Sequence, residues 1–254
     1  LPGDWAGWAV NTINISNAPV IAGIGVATAG LVQIDEHGYR TIRKEYDGST
    51  DFRRFCDGAV LIGDGTFQFG AAALFGAYGF IAGDNRAIRT ASQVTEVILA
   101  CGGVVQLVKH LTGRQRPSAA TSPTGRWALF PNPIEYQRHV PRYDAFPSGH
   151  LSTATATLTV IMRNYPELTW LPWVGYPVLG ALGIGLVSSG MHWWSDFPLA
   201  LALGYSFGKI VGSRRSDRRD LPEMESYDVR EHGPTPCLAL LSDGSPAVGV
   251  QWRW

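Results

Sequence analysis

Six stretches of this chain are apolar and rich in Gly and Ala: 19–34, 59–82, 94–108, 151–162, 170–190 and 197–212. A helix that is apolar all round is either central in a soluble protein or immersed in a bilayer. Two of the stretches reach the roughly 20 residues that a bilayer span needs. Asp64 and Gln68 interrupt one of them, however, and Gly and Pro break the other. Mean hydropathy is +0.01, low for a protein that spans a membrane many times. The expectation is therefore a bundle of buried helices, soluble or peripheral, with an integral membrane protein as the alternative. In the second case Trp170, Trp173, Trp193 and Trp194, near segment ends, would form an interfacial belt. In the first they line a pocket or pack in the core.

The polar intervals divide the chain. Residues 1–16 form an amphipathic lead-in, with Trp5 and Trp8 three apart on one helical face. Residues 35–57 carry Asp35, Glu36, His37 and Arg43-Lys44-Glu45, and predict a solvated connection with at most a short helix. Gly83-Asp84-Asn85 is a turn signal. Residues 118–146 make a long irregular connection, and loops this long inside a compact domain are usually functional. After Gly212 the composition changes. A mixed-charge run from Ser213 to Asp220 reads as a helix end or linker. Residues 237–254 read as a short C-terminal β-hairpin around Ser242-Asp-Gly-Ser-Pro246. The expected division is a helical domain over 1–212, a charged linker over 213–236 and a hairpin or tail over 237–254.

Composition narrows the function. The 254 residues hold 21 Lys+Arg and 21 Asp+Glu, a net charge of zero. That argues against nucleic acid as a partner, since such binders show a basic surplus. Cys56, Cys101 and Cys237 lack metal-ligand spacing, and Cys101 reads as a small core residue. The chain starts at Leu1 without Met, which favours an exported protein, periplasmic or membrane-associated.

Candidate chemistry lies in three ordered segments. Lys109-His-Leu-Thr-Gly-Arg-Gln-Arg116-Pro117 closes an apolar stretch with two cations seven residues apart, about two helical turns. Lys acts as a point charge and Arg as a bidentate fork for phosphate oxygens. In Pro147-Ser148-Gly149-His150, Gly149 permits close approach of backbone to a ligand. Ser148 and the N–H groups of a following helix would donate to an anion. In His192-Trp-Trp-Ser-Asp196 the two ends share a face if the segment is helical. A carboxylate on one ring nitrogen would then free the other as a nucleophile. Taken singly, each segment reads equally as a helix end, a turn or a structural ion pair.

Lys-x6-Arg-Pro, Pro-Ser-Gly-His and His-x3-Asp in this order resemble the type 2 phosphatidic acid phosphatase / vanadium haloperoxidase superfamily over roughly residues 60–210. The resemblance implies an all-α helical bundle with the site at the ends of its central helices. It implies metal-independent hydrolysis of a phosphomonoester or lipid phosphate through a phosphohistidine. It needs no cofactor, although vanadate would fit as a phosphate mimic. By the same resemblance His192 is the nucleophile, Asp196 its orienter and His150 the general acid, with Lys109, Arg116, Ser148 and Gly149 holding the phosphoryl oxygens. Such chemistry requires His150 protonated and His192 neutral. The implied partner is a phosphorylated, lipid-like substrate, with a membrane or protein partner for the C-terminal segment.

One position departs from the pattern. The third motif of that superfamily begins Ser-Arg, and here those positions are Gly185 and Leu186. Losing a charge-assisted bidentate contact could cost on the order of 100-fold in rate. Ser188, Ser189 or a loop cation (Arg126, Arg138, Arg142) would have to compensate. Two other readings stand beside the phosphatase. One is a catalytically weakened member with a structural or partner-binding role, which rests on Leu186 and the C-terminal segment. The other is a vanadate-dependent haloperoxidase, which shares the anion pocket but has the missing Arg and the short chain against it.

Overall fold

The computed structural model describes residues 2–214 and, beyond them, the backbone of 235–240 and 246–251. The chain divides into two units, Leu1–Arg214 and Arg215–Trp254. The first is all-helical, as expected. In the second, Thr235–Leu240 and Pro246–Gln251 pair antiparallel. The residues between these strands lie outside the described ones, as does most of the charged linker. The C-terminal hairpin therefore stays an expectation of the sequence.

Among the described residues ten α-helices build the first unit: α1 Pro2–Thr12, α2 Ala18–Val32, α3 Asp35–Gly48, α4 Thr50–Gly63, α5 Gly65–Ala82, α6 Asn85–Thr112, α7 Pro133–Arg138, α8 Gly149–Asn164, α9 Leu171–Ser188 and α10 Phe197–Ser213. Capping sets many of the boundaries. Ser49, Asp64, Asp84 and Ser148 each accept a backbone N–H of the following first turn, which satisfies donors the helix itself cannot. Gly83 ends α5 and Gly113 ends α6, both at positive φ, where a side chain would be strained.

Helices α6, α8 and α10 form the centre. Val94, Val97, Cys101, Val105, Val160, Phe207 and Val211 are buried together there. Gly204, Gly208 and Gly212 recur every four residues along α10 and lie against α8. A Cβ on Gly208 would come within 2.7 Å of the Ala156 carbonyl, so the two backbones meet where only glycine fits. At the far end of this pair, Gln93 of α6 donates to the Val211 and Arg214 carbonyls and accepts from Asn164. Helix α1 behaves as the lead-in predicts. Trp8 stacks on Phe207 at 5.0 Å and donates to Ser206, while Trp5 donates to the Ala100 carbonyl.

The structure corrects two sequence expectations. Residues 35–57 are not a solvated connection: they form α3 and most of α4, and Asp35 is fully buried. A charge at the start of a polar segment looks solvated, yet its partner lies far along the chain. Nor are the apolar helices simply buried. Helix α2 has no buried residue, and Val20, Ile21 and Val26 stand exposed. Helix α5 exposes Leu74, Tyr78, Phe80 and Ile81, and α9 exposes Trp173, Val174 and Tyr176, with Trp170 exposed at its N-cap. Trp193, by contrast, is core and not part of any belt.

Three helical segments, Ile15–Val32, Asn85–Thr112 and Leu171–Ser188, are long and apolar enough to cross a membrane. Thr50–Gly63 and Gly65–Ala82 together make a fourth candidate, bent by 59°. Asp64 caps the helix that starts at this bend. Gln68 donates to the Gly63 carbonyl and to Thr153. The two polar residues that interrupt the stretch are therefore what make the bend tolerable, by satisfying the backbone groups it frees.

Candidate active site

The three motif segments meet where α6 ends and α8 and α10 begin. Helix α6 stops at Thr112, three residues before Gln115 and short of the expected Arg116. The left-handed turn at Gly113 sends the chain sideways, and an extended Arg116 returns beside Lys109. The convergence of the two cations comes from this turn and not from two turns of one helix. They meet on one carboxylate, Asp144. Arg116 Nε lies 2.6 Å from Asp144 Oδ1 and its Nη2 2.5 Å from Oδ2, a bidentate pair; Lys109 Nζ stands 3.6 Å from Oδ2. Lys109 also borders the second motif. A Cβ on Gly149 would lie 3.9 Å from its Nζ.

Ser148 is fully buried and caps α8, its Oγ accepting the Leu151 N–H. Its own N–H donates to the Asp196 carbonyl at 3.2 Å, which ties the second motif to the third. His150, on the first turn of α8, faces His192 with ring centroids 6.0 Å apart.

His192 is not on a helix. It lies in the turn between α9 and α10, followed by a short 3-10 turn over Trp194–Asp196. Its Nδ1 is 2.7 Å from the Ala145 carbonyl and 3.4 Å from Asp196 Oδ2. A carbonyl can only accept, so Nδ1 carries the proton and Nε2 keeps its lone pair. The expected orienting carboxylate is thus present, but the nearer acceptor is backbone. Asp196 is occupied mainly elsewhere: it accepts from Arg114 at 2.6 Å and from the Trp193 N–H at 2.7 Å.

Arg114 is the chief residue that sequence reasoning missed. Its guanidinium is fully buried between Trp127 and Trp193, 4.7 and 5.4 Å from their ring centroids. It donates to Asp196, Ser195, Asp35 and the Thr124 carbonyl. Ser195 also donates to Asp35. One cation therefore fastens the start of α3, the long loop and the His192 turn together. Asp144 and the Ala145 carbonyl were missed as well. They sit directly before Phe146-Pro147-Ser148-Gly149-His150, and adjacency to that motif was the available signal. Arg114 lies inside the first motif segment, two residues before Arg116, and that adjacency was its signal; for Asp35 the sequence offered none.

Burial dominates the electrostatics. It holds His192 well below the ordinary histidine range, with Lys109 and Arg116 adding to the effect, so the imidazole is neutral. Burial, then the neighbouring His192, Lys109 and Arg116, pushes His150 down to about 4. His150 is therefore neutral in the free protein at neutral pH. Burial pushes Asp196 up to about 6 against the pull of Arg114. For Asp144 burial acts in the same direction, but Arg116 and Lys109 outweigh it and keep the carboxyl below its usual range.

The residue that departs from the pattern, Leu186, is fully buried against Leu151, Leu179, Leu182 and Phe197. Ser188 and Ser189 turn their hydroxyls back to the Ile184 and Leu186 carbonyls. Arg126, Arg138 and Arg142 are exposed on the loop. Among the described residues, none of these five side chains forms a hydrogen bond or ion pair with His150, His192, Lys109 or Arg116.

Comparisons with known proteins bear on the family and the fold. Residues 91–220, which hold all three segments, match the model of the PAP2 superfamily. No curated protein matches the chain. Among solved structures the fold is similar to the first transmembrane PAP2 type phosphatidylglycerolphosphate phosphatase from Bacillus subtilis. The TM-score is 0.50 at 16% identity, covering 87% of this chain and 95% of that one.

Proposed function

Since the chain belongs to the PAP2 superfamily, we propose that it is a membrane-embedded phosphatase that hydrolyses a lipid phosphate or related phosphomonoester through a phosphohistidine on His192. The observation that carries this reading is the state of His192: buried, neutral, and fixed through Nδ1–H to the Ala145 carbonyl, with Nε2 left as a nucleophile. Lys109, Arg116 and the Gly149 N–H would hold the phosphoryl oxygens, placing the phosphorus in line with Nε2. Attack forms an N–P bond and breaks the P–O bond to the lipid alcohol, whose oxygen takes a proton from His150. Water then attacks phosphorus, His150 takes up its proton, and inorganic phosphate leaves as His192 is regenerated.

His150 is neutral before substrate arrives, because it is buried and because His192, Lys109 and Arg116 further disfavour its charged form. A phosphoryl dianion reverses that balance and favours the imidazolium. The general acid is thus charged by the substrate it serves. Ser148, already committed to capping α8, acts in this reading by fixing the turn at Gly149.

The lipid part rests on the exposed apolar faces of α2, α5 and α9 and on the four candidate spans. Such continuous surfaces are stable in a bilayer and aggregate in water. In this setting the histidines lie at helix ends, within reach of a headgroup at the interface.

The test is phosphate release from a panel of lipid phosphates and soluble phosphomonoesters, with purified wild type and His192→Ala, without added metal. Turnover by wild type that His192→Ala abolishes, together with acid-labile labelling of wild type by a 32P-substrate, is the expected result. Well-folded wild type that turns over none of the panel would overturn the reading and favour a weakened, partner-binding member, as Leu186 suggests.

A further inference from the structure

The two cations assigned to the phosphoryl group already hold an anion of the chain's own. We propose that Asp144 sets the affinity of this site, by competing with inorganic phosphate for Arg116 and Lys109. The inference rests on the phosphatase reading above and adds a residue that limits product retention.

Four observations support it. The Nε/Nη2 edge of Arg116 is consumed by the carboxylate in a fork-to-fork pair, the same edge geometry an arginine offers to phosphate. Lys109 Nζ lies between the carboxylate and Gly149, so both cations of the cradle face one internal charge. The carboxylate is delivered by a fixed backbone. The Ala145 N–H donates to the Arg114 carbonyl at 2.9 Å, while the Ala145 carbonyl receives His192. Finally, Asp144 is buried, where like charges repel strongly.

An incoming phosphoryl group must therefore displace Asp144 from Arg116 or share the cation with it, and in either case it meets a nearby negative charge. A lipid substrate offsets this with the binding of its apolar chain; free phosphate has no such contribution. After hydrolysis the carboxylate reclaims Arg116 and the product is expelled. With Leu186 in place of the motif arginine, the cradle sets two cations, Lys109 and Arg116, against one carboxylate, a balance that favours weak retention of product.

The competing role for Asp144 is to orient Arg116 for substrate, and the two predict opposite signs. Titration calorimetry on the detergent-solubilised full chain, with inorganic phosphate and with tungstate, separates them. Competition predicts that Asp144→Asn binds both anions about tenfold more tightly than wild type, while Asp144→Glu, which keeps the charge, stays within about threefold of wild type. In turnover assays Asp144→Asn would show a correspondingly lower Ki for phosphate. Weaker or unchanged anion binding by a folded Asp144→Asn overturns the proposal. Lys109→Ala tests the underlying reading separately: if it binds tungstate as wild type does, the anion cradle is elsewhere, whatever Asp144 does. Should Asp144→Asn not fold, Asp144→Ser supplies the same comparison, with the neutral side chain again expected to tighten binding.

Discussion

At the scale of single residues, the site is built from buried charges that each answer to a partner. Arg114 is the most committed, so its removal leaves Asp35 and Asp196 buried without their cation. Breaking such a pair costs about 3–5 kcal/mol. Arg114→Met should lower the thermal midpoint sharply and reduce turnover in whatever fraction remains folded, as differential scanning fluorimetry and phosphate release would show. Leu186→Arg tests the departure from the family pattern. Because Leu186 packs in an apolar cluster, the introduced arginine would be buried without a partner. The expected outcome is lost stability and no gain in turnover; a folded variant with raised kcat/KM would show that the position opens onto the site. His150 gives a pH signature. Its pKa is about 4 in the free protein and rises when an anion binds, so binding takes up a proton. Sulfate keeps a fixed charge over this range. Its affinity should fall by about tenfold per unit as pH rises above about 5, levelling off at the bound pKa. His150→Ala should flatten that slope in calorimetric titrations.

At the scale of elements, glycine and capping decide the architecture. The stripe Gly204, Gly208, Gly212 lets α10 lie on α8, and their N-terminal ends carry the second and third motifs. Gly208→Leu would drive a side chain into the Ala156 carbonyl and Thr159. Overpacking of this kind costs about 1–3 kcal/mol or more and would separate His150 from His192. We expect a lowered melting temperature together with a disproportionate loss of kcat, measured on the folded fraction. The helices themselves were legible in the sequence, because apolar runs with Asp, Ser and Gly at their ends carry their own boundaries. Helices α3 and α4 were not legible. Their polarity looks like solvated loop, and the contacts that make them structural, such as Asp35 with Arg114, join residues 79 apart.

At the scale of the whole molecule, the question is which solvent the helices face. The sequence tilted toward a soluble bundle because polar residues interrupt its apolar runs. The structure uses Gln68 inward, against Gly63 and Thr153, and Asp64 as the cap of α5, while apolar side chains of α2, α5 and α9 face out. A soluble protein with that surface would associate. The protein should accordingly partition into the detergent-rich phase in a phase-separation assay and resist extraction from membranes by alkaline carbonate. Recovery in the aqueous phase would argue for a soluble bundle whose faces are covered by other chains.

The amino-acid sequence by itself carried the helical class and the main apolar helices, and, through its motifs and the family they resemble, the residues proposed for the site: Lys109, Arg116, Ser148, Gly149, His150, His192 and Asp196. Apolar runs and short motifs are legible because they involve neighbours in the chain; the roles of the motif residues come from the resemblance. Only the tertiary structure decided what each member is bonded to. It gave His192 a backbone carbonyl as its nearer partner, gave Asp196 to Arg114, and set Asp144 against the two cations. The reason is physical: a buried charge is defined by the partner that compensates it, and here those partners come from segments that only folding brings together.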